Sequence, residues 1–169
     1  ETCDTVEGNA SQKALYIFNK FKVNCFADDT GLEIEALNGR PGVYSARYAG
    51  PGCNPEDNIR KVLEEMKGIT TRNSRFRCVL SLVIDGHEIQ FEGVMEGTIL
   101  TEKHGREGFG YDPIFAPCLS LMGGAIPLSF GEGSGVRSFA QMTLEEKNRI
   151  SHRAIAVKKL EEYLLSLKK

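Results

Sequence analysis

Three short segments of this 169-residue sequence bring reactive side chains close together. Asp28-Asp29 follows an apolar run at 23–27 and leads into Thr30-Gly31. Adjacent residues of an extended chain point to opposite sides. One carboxylate is thus free to bind a metal ion or water while the other faces elsewhere. The second segment is Gly108-Phe109-Gly110-Tyr111-Asp112-Pro113. Its glycines let a ligand approach the backbone closely, and its two rings can stack on a base. It is not a dinucleotide fingerprint, because the third glycine and the preceding strand are missing. The third segment runs from Glu146 to Arg153 and carries Lys147, Ser151, His152 and Arg153. On a regular helix Lys147 and Ser151 share a face, but His152 lies about 140° round from Lys147. Aligning these groups requires a kink, or a ligand lying along the helix flank. Lys13 and Arg47 add cations from other segments. Four cations around a pair of acids is the charge balance that a triphosphate with Mg²⁺ needs. Each segment alone also has a plain structural reading: an acidic turn, an aromatic-bearing turn and a solvated basic helix face.

The elements that must position these residues follow from periodicity. Ala10, Ala14, Ile17, Phe18 and Phe21 predict a helix over 5–22, with Asp4 and Glu7 as its capping box. A short buried strand over 23–27 delivers Asp28-Asp29 at its end, and Asn38-Gly39 makes a turn. Asn54 caps a second helix with Pro55 at its first position, an apolar stripe of Ile59, Val62, Leu63 and Met66, and Gly68 at its stop. Strict alternation over 75–85, the Asp85-Gly86 turn and the return over 87–100 form a hairpin, with Gly93 and Gly97 as candidate bulges. Residues 101–113 read as a polar, Gly-rich loop. A last helix starts at Thr143, boxed by Glu146, and turns Ile150, Ala154, Val157, Leu160 and Leu164 inward. This order predicts one α/β domain over 1–169, a mixed sheet covered by helices.

Composition narrows the function. Net charge is −2, so there is no global positive field to hold polymeric DNA or RNA. No stretch approaches the ~18 apolar residues that span a bilayer. Five dispersed cysteines without a CxxC pair fit reduced thiols rather than a disulfide framework or a structural zinc site, and three separated histidines add no zinc cluster. The expected protein is soluble and cytoplasmic. Residues 118–135 show no clean period and several glycines, as a long functional or disordered loop does.

Four strings, in order, resemble one family. Ala27 to Leu32 (ADDTGL) matches its ADDSGL or ADDTGL, and Pro41 to Tyr48 matches PGVYSARY. Gly108 to Pro113 matches GFGYDP, and 138–153 is similar to TFAEM…EKNxISHR. The family is the Ham1-type inosine triphosphate pyrophosphatases, also called dITP/XTP pyrophosphatases. The resemblance implies an elongated, two-lobed α/β unit with a long mixed sheet flanked by helices, forming a homodimer. It implies hydrolysis of inosine, deoxyinosine or xanthosine triphosphate to monophosphate and pyrophosphate, which cleans the nucleotide pool. The partner is thus a small nucleotide, with no polymeric nucleic acid and no membrane.

The resemblance also assigns residues. Asp29 is the catalytic acid, and Glu1 with Asp29 holds Mg²⁺. Lys13 and Lys147 meet the phosphates, Phe109 stacks the purine, and Tyr111 and Asp112 line its edge. His152 and Arg153 sit by the six-keto oxygen, where the amino group of adenine would meet donor against donor. Thr30, Gly110 and Ser151 complete the substrate-binding set. In the family a strand and a T-N-N-x-x-K phosphate turn precede the stretch matched at Glu1. The domain is therefore expected to be N-terminally incomplete and weak in turnover, the alternative being a nucleotide-binding protein with little turnover. The related Maf-type pyrophosphatases lack the SHR and GFGYDP strings. An insertion at 118–131 separates Pro117 from Glu132-Gly133, which the family joins directly.

Overall fold

The computed structural model describes residues 1–105, 108–118 and 137–167. Residues 119–131 of the expected insertion lie outside the described residues. The first helix, α1, spans Val6–Phe21. Its cap is Thr5, whose hydroxyl accepts from the Gly8 amide, rather than the expected Asp4–Glu7 box. Only the first half of its apolar stripe is covered, through Val6, Ala10 and Ala14. Ile17 and Phe21 remain exposed.

Strand β1 spans Cys25–Ile34, so Asp28-Asp29 sits in mid-strand and not at a strand end. Acids are poor strand formers, but β-propensity yields to cross-strand context. Here a longer partner decides: all ten β1 residues pair antiparallel with β3, Asn73–Ile84. Strand β2, Pro41–Gly42, pairs with β1 at Leu32 and Glu33. Gly31 makes room for it, since a Cβ there would lie 2.7 Å from the Gly42 carbonyl oxygen. Helix α2, Pro55–Glu65, follows with Asn54 as its cap, as predicted. The hairpin turns at Asp85 and Gly86, both at positive φ, into β4, His87–Ile99. The β3–β4 register is continuous past Gly93 and Gly97, so neither is a bulge. A short β5, Phe115–Pro117, unrecognised in the sequence, completes a sheet ordered β2-β1-β3-β4-β5. Every pairing among the described residues is antiparallel.

The C-terminal helix is broken. Helix α3, Leu144–Ile150, ends at Ser151, which is extended at ψ 151 and caps α4, His152–Ser166. The Ser151 hydroxyl accepts from the Ala154 amide. Serine competes with the helix in this way and favours a cap over a helix interior. The break re-phases α4: Ala156 and Leu160 are buried, while Val157 and Leu164 are exposed, unlike the expected stripe.

Two core regions follow. At one end of the sheet, Leu32, Ile34, Phe76, Met95 and Ile99 pack on α2 and on Phe115, Phe139 and Ile150. At the other end α4 covers one face through Ala156 and Leu160 against Cys78, Leu80 and Leu82. The opposite face there carries α1, through Val6 and Ala10 on Val79. This is an α/β unit whose long strands span both lobes, with room between them for a ligand.

Candidate active site

Alternation along β1 sends Asp28, Thr30 and Leu32 to one face and Asp29 to the other. On the first face a cavity of about 620 Å³ opens between the lobes. Thr30, Leu32 and Phe76 line it from the sheet, the 109–112 turn from one side, and Lys147 and Ser151 to Arg153 from the α3–α4 break. The kink that the spacing of Lys147, Ser151, His152 and Arg153 demands is therefore present, at Ser151 itself.

Glycine seats this break on the sheet. A Cβ at Gly93 would lie 1.9 Å from the His152 carbonyl oxygen and 2.6 Å from the Ala156 amide nitrogen. His152 then stacks on Phe76, ring centroids 4.8 Å apart and planes at 17°. Its Nδ1 and the Thr30 hydroxyl are buried without a hydrogen-bond partner among the described residues. Burial, helped by the Arg153 and Lys147 cations, pushes the His152 pKa down to about 4, so the imidazole is neutral at pH 7.

A pH prediction follows. From the ordinary value of 6.5 down to about 4, the unfolded chain takes up a proton that folded His152 refuses. Its contribution to stability is complete above that window and declines as pH falls through it, by about 3 kcal/mol. Urea midpoints measured between pH 7 and 4 should fall more steeply for the parent than for His152→Phe, which retains the stack. Equal slopes would remove His152 as the titrating group.

The 108–113 turn is organised by Asp112, which is nearly buried. Its Oδ2 accepts from the Phe109 amide at 2.8 Å and from Lys147 Nζ. Gly108 has φ +91, and a side chain there would collide with Asp112. Tyr111 is buried in the core, and its hydroxyl donates to the Ser45 carbonyl at 2.8 Å. Burial raises its phenol well above the ordinary range. Tyr111 and Asp112 thus line the cavity with their polar atoms already engaged. Phe109 is 77% exposed, its ring free at the cavity wall.

Glu1, Lys13 and Asp29 form a second cluster, on the opposite face of β1. Lys13 Nζ lies 2.7 Å from both Glu1 Oε1 and Asp29 Oδ1. Arg47 approaches Glu1 at 3.6 Å. The Lys13 hydrogen bond holds the Glu1 carboxyl below its usual range. Burial lifts the Asp29 carboxyl above its usual range, against the pull of Lys13. Burial also works against the Lys13 charge, but its two carboxylate bonds outweigh this and raise its pKa. The four predicted cations are therefore divided. Lys13 and Arg47 serve this cluster, Lys147 pairs with Asp112, and Arg153 pairs with Asp28.

Nine of the expected residues (Thr30, Phe109, Gly110, Tyr111, Asp112, Lys147, Ser151, His152 and Arg153) line the cavity, and three lie across β1 from it. Sequence reasoning missed Phe76, which reads simply as an inward strand residue, and Asn58, which reads as part of a helix. The Asn58 amide accepts from the Ala49 amide at 2.7 Å and donates to the Ala46 carbonyl at 2.9 Å, so it shapes the loop beside the cavity.

An aromatic-sided cavity, with a carboxylate–ammonium cluster one residue along the same strand, forms the candidate site of this α/β protein. The chain belongs to the Ham1 family, whose sequence model matches residues 1–163. It is 49% identical over 164 residues to a dITP/XTP pyrophosphatase of Christiangramia forsetii, covering 97% of this chain and 78% of that one. A dITP/XTP pyrophosphatase of Porphyromonas gingivalis is 47% identical over 169 residues, covering 99% and 79%. The solved Staphylococcus aureus Ham1 protein superposes with a TM-score of 0.86 at 38% identity, over 98% of this chain and 79% of that one.

Proposed function

We propose that this protein hydrolyses non-canonical purine nucleoside triphosphates (ITP, dITP and XTP) to the monophosphate and pyrophosphate, and so cleans the nucleotide pool. The observation that carries this reading is the neutral His152, whose Nδ1 has no partner among the described residues, beside Arg153 at the helix break and facing an aromatic-sided cavity. A keto-purine offers acceptors to such donors, and a site built on hydrogen bonds discriminates strongly against a base that cannot make them. The base lies in the cavity, with Phe109 stacked on it and the His152–Arg153 edge reading it. Lys147, Ser151, Thr30 and the Gly110 backbone hold the sugar and the nearer phosphates. The chain of phosphates passes the β1 edge at 28–30 to reach Lys13.

Mg²⁺ suits Glu1 and Asp29. Both are hard oxygen donors, and both already converge on one cation, the Lys13 ammonium. Magnesium is held by one or two carboxylates together with substrate phosphates. When bound, it neutralises phosphate charge and polarises water. Asp29 orients the attacking water and accepts its proton, for which a carboxyl lifted by burial is suited. Water oxygen then bonds to phosphorus, the α–β anhydride breaks, and pyrophosphate leaves with the bonding pair. Lys13 balances the charge on the departing oxygens. The assembly that goes with this reading is a homodimer, and exposed Tyr16, Phe21, Val23 and Phe26 offer apolar surface for one.

The test is product analysis with inosine, xanthosine and adenosine triphosphates in Mg²⁺. We expect pyrophosphate and monophosphate in equal amounts, with the keto-purines preferred by about 10²-fold or more. Orthophosphate as the first product, or equal turnover of adenosine triphosphate, would overturn the reading.

A further inference from the structure

Asp28 is the neighbour of the proposed catalytic acid, yet it faces the other way. It belongs to the cavity face of β1 but does not line the cavity. Its Oδ2 accepts from Arg153 Nε at 3.2 Å and from Arg153 Nη2 at 2.9 Å. The buried Cys78 thiol approaches the same oxygen at 3.9 Å. Burial raises the Cys78 pKa, which keeps a proton on sulfur.

Arg153 stands at the second position of α4, directly after His152. Its side chain is 52% exposed. A cation near a helix N-terminus also opposes the helix dipole. Among the described residues the ion-pair partner of Arg153 is Asp28, 125 positions earlier in the chain, with the Cys78 thiol beside it.

We infer that Asp28 is a positioning residue for base selection: it fixes the Arg153 guanidinium at the cavity wall so that its remaining N–H groups meet the purine edge. This rests on the role given above to Arg153. The planar fork explains why arginine serves here, because two of its nitrogens can bind the carboxylate while others remain free to donate. Two adjacent carboxylates on opposite faces of one strand then divide the work, Asp29 at the phosphates and Asp28 behind the base. The ion pair is half-exposed, so its direct effect on stability is small. Its effect on orientation is the larger one, since misplacing a binding group by about 1 Å can cost on the order of 10²-fold.

The test is a double-mutant cycle on kcat/KM for inosine and adenosine triphosphates, using Asp28→Asn, Arg153→Ala and both together, with melting curves for each. We expect Asp28→Asn to lower the inosine-to-adenosine preference about tenfold, chiefly through KM, with melting within a few degrees of the parent. The double variant should be no worse than Arg153→Ala alone. Asp28→Glu, which keeps the charge on a longer arm, should recover part of the preference, and it carries the test should Asp28→Asn fold poorly. If Arg153→Ala leaves the preference unchanged, the role of Arg153 itself fails. If Arg153→Ala lowers it but Asp28→Asn does not, or if the two losses simply multiply, the positioning role of Asp28 is wrong.

Discussion

Replacing Asp29 by Asn should lower pyrophosphate release by about 10³-fold or more and leave the protein folded. General-base assistance alone is worth roughly 10²–10⁴-fold, and an amide is also a poor partner for a hard divalent cation. The fold should tolerate the change. Asn retains an oxygen for Lys13, which keeps its second bond to Glu1. The substitution also removes a charge whose burial is unfavourable in the parent. Melting should therefore shift by only a few degrees. Steady-state pyrophosphate assays at saturating inosine triphosphate read the effect. A rate within tenfold of the parent would take Asp29 out of the catalytic role. Asp28→Asn is the matched control: one residue away, it should affect KM and base preference and leave most of kcat.

Two neighbouring acids that point to opposite faces of one strand illustrate what the sequence carries and what it withholds. Asn54-Pro55 and Asp85-Gly86 were readable because caps and tight turns are local, each decided by two or three residues. The two arms of the hairpin were readable because Phe76, Cys78, Leu80, Leu82 and Ile84 alternate along the first arm, although Val79, Ser81 and Val83 on its other face are buried as well. The length of β1 was not readable. Asp28, Asp29 and Gly31 all argue locally against a strand, and only pairing with the full length of β3 overrides them. The break at Ser151 was half-readable. Geometry required a kink among Lys147, Ser151, His152 and Arg153, but its place depended on a serine side chain choosing the Ala154 amide. The division of the site across β1 was implicit in the alternation at 28–30. Which cation answers which acid was not, because Lys13, Lys147 and Arg153 come from elements that only tertiary packing brings together.

Gly93 is the seat of α4 on β4 rather than a bulge. Gly93→Ala places a methyl where the His152 carbonyl oxygen and the Ala156 amide now lie. Both are backbone atoms, so no side-chain rotation relieves the overlap, and the start of α4 must lift from β4. Overpacking of this kind costs about 1–3 kcal/mol. For a chain of this length that corresponds to a melting point lower by roughly 2–12 °C. The same displacement moves Ser151, His152 and Arg153, so the preference for inosine over adenosine triphosphate should fall about tenfold or more. Asp29 and Lys13, on the opposite face, should be left in place. Gly97→Ala separates the two effects. Its methyl would meet the Ala116 carbonyl oxygen and the Phe115 ring, both at 2.4 Å, and Phe115 reaches His152 only through the intervening Phe76 ring. It should lower the melting point comparably and change base preference several-fold less than Gly93→Ala does. If both glycine variants lose stability alike and neither changes base preference, the seating of α4 on Gly93 does not govern how the base is read.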